Sequence, residues 1–273
     1  MVKQKLNKGW MVKYETLETG PDMAMFLQNS KEGWMVADLP CDVHIPLIQN
    51  GIIRDPVEAD YSYESEWIEE KSWWFKKTFM ADESLMECDV VELTLEFLDS
   101  EADIFFNGVH LAHHRSAFYP FTADVKRFLQ KGENILLVRL TSGLEYVSEK
   151  DLAGISKSII TEKDRGRGDR GDRRRVFVRK PQFVYGWDWG PRVATCGIMG
   201  NVWIQGYKKI AIRMAHAITE TVGTEEAVIR VETEIENFHT YMSMEGMVEV
   251  EILEGNKVVW SQKAEHLFKS GIN

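Results

Sequence analysis

The chain has 273 residues, 44% of them hydrophobic and 28% charged, with a formal net charge of −10. This composition fits one large or two folded domains and excludes a disordered or low-complexity chain. The acidic balance also excludes general nucleic-acid binding, which needs excess Lys and Arg to neutralise phosphates.

The opening stretch, MVKQKLNKGWMVKYETLETG, has no apolar run and does not read as a secretory signal. Pro46 to Gly51 (PLIQNG) fits a short helical turn. Trp73 to Phe79 reads as an aromatic strand, with Trp73, Phe75, Lys77 and Phe79 on one face. Val91 to Phe97 alternates apolar and polar residues without a break, the period of a strand. Glu101 to Phe106 is a further strand. It runs into Asn107-Gly108, a strong hairpin signal because both central positions of a type I′ turn need positive φ, and Val109 to Leu111 returns. Thr122 to Leu129 fits a second helical turn, closed by Gly132. Ile135 to Leu140 and Val202 to Tyr207 read as strands. After Lys208, Ala227 to Ile235 and Val248 to Ile252 alternate cleanly, and Glu254 to Lys257 turns the chain into Val258 to Trp260. Short strands with turn signals between them predict an all-β protein: a jelly-roll, galactose-binding-like β-sandwich over 1–207, then the start of an immunoglobulin-like β-sandwich over 208–273. The second unit has about 66 residues where such a sandwich uses ~100, so the chain is expected to stop inside it.

Cys41, Cys88 and Cys196 lie far apart with no Cys-x-x-Cys, so no disulfide framework, metal site or cofactor is expected. There is no Asn-x-Ser/Thr acceptor and no run of ~18 apolar residues, so a cytoplasmic, membrane-free protein is expected. Asp164 to Arg175 holds six Arg, three Asp and three Gly and reads as a solvated loop. Its two Arg-Gly-Asp triplets would otherwise point to adhesion, and its Arg/Gly character to RNA. His113 and His114 are adjacent on a strand, face opposite sides and read as solvated surface. His44, in Asp42-Val43-His44, reads as a loop tie through its ring nitrogens.

Nine tryptophans are the oddity of the composition. Indole N–H groups need partners when buried, so this many Trp point to β cores, carbohydrate platforms, or both. The most informative stretch runs from Arg179 to Arg192, RKPQFVYGWDWGPR. Gly186 and Gly190-Pro191 bracket Trp187-Asp188-Trp189 with residues that permit or fix special dihedrals. A carboxylate between two indoles suits a sugar, whose C–H face packs on an aromatic plane and whose hydroxyls donate to the carboxylate. The same residues also fit a buried Trp cluster whose Asp caps backbone N–H groups. Arg179 and Arg192 flank the tripeptide, and either could pair with Asp188.

On these residues the chain resembles the N-terminal part of the β-mannosidases of glycoside hydrolase family two. The matching segments run in family order: Leu39-Pro40-Cys41-Asp42-Val43-His44, Gly51-Ile52-Ile53-Arg54-Asp55-Pro56, Trp67 to Phe79, Asp99 to Gly108, Gly132-Glu133-Asn134, and Gly186-Trp187-Asp188-Trp189-Gly190-Pro191. The resemblance implies a longer enzyme in which the jelly roll and an immunoglobulin-like domain precede a (β/α)₈ barrel carrying two glutamates for retaining hydrolysis. Retention needs carboxyl groups ~5–5.5 Å apart, and a barrel takes ~250 residues. The family's acid/base Glu follows an Asn, and this chain has no Asn-Glu dipeptide. No catalytic residue is therefore expected here. The resemblance implies that Trp187, Asp188 and Trp189 bind the terminal non-reducing β-D-mannose, supported by Gly186, Gly190 and Arg192, with the absent barrel as partner. The chain alone is expected to be inactive. A free-standing carbohydrate-binding module is the alternative.

Overall fold

The computed structural model describes residues 2–154, 171–186 and 190–273. Its strands, in chain order, are β1 (Val2–Lys5), β2 (Trp10–Thr16), β3 (Met35–Val36), β4 (Cys41–Asp42), β5 (Lys71–Met80), β6 (Val90–Leu95), β7 (Leu98–Asp99), β8 (Glu101–Phe106), β9 (Val109–Arg115), β10 (Phe121–Asp124), β11 (Glu133–Thr141), β12 (Gly197–Ile198), β13 (Val202–Tyr207), β14 (Ile210–Val222), β15 (Ala227–Asn237), β16 (Met244–Glu254), β17 (Lys257–Phe268) and β18 (Gly271–Ile272). Helices are short; α1 (Ala24–Asn29) and α2 (His44–Gln49) have six residues each. The protein is all-β, as the periodicity predicts. Chain contacts divide it into two compact units: Lys3–Met86 with Glu92–Gln205, and Met1–Val2 with Glu87–Val91 and Gly206–Asn273.

The larger unit contains a six-stranded sheet in the order β3-β2-β5-β11-β8-β9 and a small β4-β12-β7 sheet. Strands β1, β13, β6 and β10 form a further sheet in that order. Strand β5 lies centrally, with Trp73 opposite Tyr14 of β2 and Leu140 of β11. The sequence places Trp73, Phe75, Lys77 and Phe79 on one face of β5, and the structure covers the other face as well. Ser72, Trp73, Trp74 and Phe75 are all buried, so both faces of this strand are covered. Trp74 packs with Ala24, Leu27, Phe105 and Leu137 on one side. On the other, Trp73 meets Tyr14 at 5.4 Å and Trp67 at 6.2 Å between ring centroids. Every fully buried indole finds an acceptor. Trp10 donates to the Leu6 carbonyl (2.5 Å), Trp73 to the Ile68 carbonyl (3.0 Å) and Trp74 to Ser72 Oγ (3.2 Å). This satisfies the indole N–H and leaves the ring area as hydrophobic gain.

The hairpin between β8 and β9 has positive φ at Asn107 (48°) and Gly108 (80°), as its sequence requires. Asn107 does more than turn the chain. Its side-chain amide donates to the Phe128 carbonyl (2.9 Å) and Asn134 Oδ1 (2.8 Å), and its oxygen accepts from Ile135 N (2.8 Å). The helical turn expected over Thr122 to Leu129 is corrected. Residues 121–124 form β10, paired with β6 through Phe121 opposite Leu95 and Ala123 opposite Leu93, and the helical part shrinks to the 3₁₀ turn Lys126–Phe128. A short apolar run has no intrinsic preference strong enough to resist a free sheet edge.

In the smaller unit, β14, β15 and β18 form one antiparallel sheet and β16 and β17 a two-stranded ribbon. The alternating segments of the sequence lie inside these strands, and the long β14 precedes them. Within β14–β18 Ala211, Ile235, Asn237 and Phe268 are buried, whereas Trp260 remains 45% exposed. Among the described residues no helix is long and apolar enough to cross a membrane.

Candidate functional site

Trp187, Asp188 and Trp189 lie outside the described residues. Their supporting residues Gly186, Gly190 and Arg192 are described, and the backbone on both sides is held by buried groups. The 3₁₀ turn Gln182–Tyr185 ends at Gly186, whose φ of 102° suits glycine and disfavours side chains. Val193 N donates to the Val184 carbonyl at 3.1 Å, so the entering and leaving strands of chain are joined. Val184 and Tyr185 pack with Leu144, Val178 and Ala194 in a separate apolar cluster.

Below this cluster lies a buried polar anchor. Lys180 Nζ is 2.8 Å from Asp99 Oδ1, and both side chains are almost inaccessible. The contact is an ion pair, and Oδ1 accepts no hydrogen bond. Lys180 Nζ donates instead to the Thr195 carbonyl, and Thr195 Oγ1 donates to Asp99 Oδ2, each at 2.5 Å. Asp42 continues the anchor by accepting from Cys196 N (3.2 Å) and from His44 N (2.7 Å). His44 Nδ1 sits 2.5 Å from Asp42 Oδ1, so this histidine ties its own loop, as its sequence context predicts.

Arg192 reaches across the fold to Glu69, the two residues being 123 apart in sequence. Its Nε donates to Glu69 Oε1 at 2.9 Å, and a second guanidinium nitrogen donates to Oε2. The expected pairing of Arg179 or Arg192 with Asp188 lies outside the described residues; within them Arg192 pairs with Glu69. Burial alone would lower the Arg192 guanidinium, but the hydrogen bonds and charge of Glu69 outweigh it and raise it further. Asp172 Oδ2 lies 4.0 Å from the same guanidinium and is itself held by Arg174, through backbone N (2.9 Å) and Nε (3.1 Å). Burial pushes the Asp172 carboxyl up, yet the Arg174 hydrogen bonds win and hold it below its usual range. The Tyr185 ring contacts two cations, 5.4 Å from the Arg192 guanidinium carbon and 5.6 Å from Lys180 Nζ. Burial first, and then Glu69 and Asp99, push its phenol far up, so it stays neutral.

Glu69, Asp172, Arg174 and Arg192 line a cavity of about 270 Å³ together with Leu17, Glu66, Glu70, Ser142, Leu144, Glu145 and Gly171. Carboxylates and guanidinium groups at such spacing accept from and donate to hydroxyls, the contacts a polyol offers. Sequence reading did not single out Glu69, Asp99 or Lys180, because each gains its meaning from a partner distant in the chain.

Elsewhere one expectation is corrected. His113 is exposed on β9 as expected, but His114 is not solvated surface. His114 is buried, with Nε2 2.7 Å from the Ser116 carbonyl. His113 bridges two buried carboxylates, Nδ1 to Asp103 at 2.9 Å and Nε2 to Glu101 at 3.0 Å. The pair does face opposite sides of β9. Among the described residues no three His, Cys, Asp or Glu side chains are grouped to hold a metal ion.

Comparison with known proteins adds the context. The chain is 31% identical over 212 residues to β-mannosidase B of Aspergillus terreus, covering 76% of this chain and 24% of that protein. It is 29% identical over 171 residues to the β-mannosidase of Mus musculus, covering 63% of this chain and 19% of that protein. The crystal structure of a β-D-mannosidase from Dictyoglomus thermophilum superposes with a TM-score of 0.79 at 27% identity, covering all of this chain and 30% of that one. The chain thus spans a quarter or less of the length of these curated relatives. Residues 25–200 match the family described as glycosyl hydrolase 2 galactose-binding domain-like, which covers more than half of the chain. The chain belongs to the glycosyl hydrolase 2 galactose-binding domain-like family.

Proposed function

We propose that this chain supplies the sugar-gripping rim of a β-mannosidase-type glycosidase that removes terminal non-reducing β-D-mannose with retention. Trp187 and Trp189 form the apolar wall against the sugar, and Asp188 accepts hydrogen bonds from hydroxyls remote from the scissile bond. Gly186 and Gly190 give the backbone its turns, and Arg192 secures the leaving strand. The observation that carries this reading is the anchored Gly-Trp-Asp-Trp-Gly-Pro segment in a chain whose relatives are named β-mannosidases. The hydrolytic glutamates belong to a barrel outside these 273 residues, in keeping with the share of the relatives that the chain spans. In this reading residues 1–207 are the jelly-roll domain and 208–273 begin an immunoglobulin-like one.

The test is direct. The 273-residue chain releases no nitrophenol from 4-nitrophenyl β-D-mannoside but binds methyl β-D-mannopyranoside weakly, because half a pocket buries little of its ligand. Asp188→Ala removes charge-assisted hydrogen bonds, about 1.5–3 kcal/mol, and abolishes that binding in a titration followed by tryptophan fluorescence. Turnover by the chain alone, or Asp188→Ala binding as well as wild type, overturns the assignment.

A further inference from the structure

We propose that Glu69 is a positioning residue of this site: through Arg192 it fixes the direction in which the backbone passes Gly190-Pro191. The proposal rests on the reading above only for the identity of the ligand. Glu69 lies in the last turn of the 3₁₀ stretch Tyr61–Glu70, 123 residues before Arg192, and nothing in its local sequence needs a buried carboxylate. Yet the Glu69 and Arg192 side chains are only 10% and 9% exposed. A buried ion pair is seldom more stabilising than apolar packing of the same volume. What it adds is direction. The planar guanidinium fork binds both carboxylate oxygens and leaves Arg192 little freedom to rotate.

The surroundings narrow that freedom further. Asp172 approaches the same guanidinium to 4.0 Å, and the Tyr185 ring lies 5.4 Å from its central carbon. Tyr185 directly precedes Gly186, so the group that contacts Arg192 also belongs to the entering strand. The entering side is thereby tied to the leaving side twice, by this ring and by the Val193 to Val184 hydrogen bond. Residues 191–196 belong to no helix and no strand until β12 begins at Gly197. Without a ladder of their own they take their course from side-chain anchors: Asp42 at Cys196, Asp99 at Thr195 and, nearest to Gly190-Pro191, Glu69 at Arg192.

The experiment labels the nine tryptophans of the 273-residue chain with 5-fluorotryptophan and assigns Trp187 and Trp189 by single Trp→Phe changes. In Glu69→Gln, which keeps the shape but loses the charge, the Trp187 and Trp189 fluorine resonances shift while those of buried Trp10, Trp73 and Trp74 stay. Methyl β-D-mannopyranoside binding weakens about tenfold. Arg192→Lys keeps the charge but gives up the two-point fork, and it shifts the same two resonances; exchanging the charges in Glu69→Arg with Arg192→Glu moves them back. If Trp187 and Trp189 do not respond, or if all nine tryptophans respond together, Glu69 is not a positioning residue. If the wild-type chain binds no mannoside, the functional reading falls while the fluorine spectra still decide the role of Glu69.

Discussion

Tyr185 shows how single residues set the chemistry of this site. Its ring contacts two cations, each matched to a carboxylate, Lys180 to Asp99 and Arg192 to Glu69. Neither carboxylate partner is near its cation in sequence, so composition and motif could locate Arg192 but not name what holds it. Asp172 carries a pH consequence. Its folded carboxyl titrates below the usual range because the Arg174 hydrogen bonds outweigh the effect of burial. A depressed folded value adds stability above the unfolded carboxylate range, and that stability is lost as pH falls through the folded value. Asp172→Asn is therefore less stable than wild type at about pH 7, and the gap narrows as pH falls below the ordinary carboxylate range. Urea midpoints across that range measure it; a gap independent of pH would remove the carboxylate from the account. Buried thiols behave in the opposite sense. Burial, then the neighbouring Asp42, pushes Cys41 up to about 12, and burial raises Cys196 well above its ordinary value, so both remain protonated structural groups.

At the scale of elements, the short β4-β12-β7 sheet matters more than its size suggests. Asp42 of β4 and Asp99 of β7 face Gly197 of β12 from its two sides, and both carboxylates reach the Thr195-Cys196 backbone or side chains that lead out of the site. Gly197 is needed for this close approach, because a Cβ there would drive into the Cys41 carbonyl oxygen and crowd Asp42 Cα. Gly197→Ala is expected to cost about 1–3 kcal/mol by overpacking against backbone that cannot yield. Chemical denaturation gives the loss, and a wild-type midpoint would show that β4 moves freely. Strand β5 makes a separate point about legibility. A period of two says which residues share a face, but whether the second face is covered depends on what packs over it, here α1 with Phe105 and Leu137. The Thr122 to Leu129 segment was ambiguous for a related reason, since only the neighbouring edge of β6 decides that residues 121–124 extend.

On the scale of the whole molecule, the two units differ in how much apolar surface they bury. Strands β5, β8 and β11 of the larger unit are lined with residues at or near zero exposure, whereas β17 of the smaller one is exposed along its length except at Phe268. Opening free energy follows burial, so amides of β16 and β17 should exchange with deuterium well before those of β5 and β11. Equal protection in the two sets would contradict the burial seen here. The sequence by itself determined the all-β class, the Asn107-Gly108 hairpin and the candidate site segment. Each of those rests on local rules: a period of two, the dihedrals that glycine permits, and a compact motif whose chemistry lies in adjacent residues. Only the tertiary structure decided that Glu69 holds Arg192, that Asp99 and Asp42 anchor the backbone around Thr195, and that the exposed His113 bridges two buried carboxylates while His114 is buried. Those are contacts between residues far apart in the chain, and burial and charge pairing between such partners come into being only when the sheets assemble.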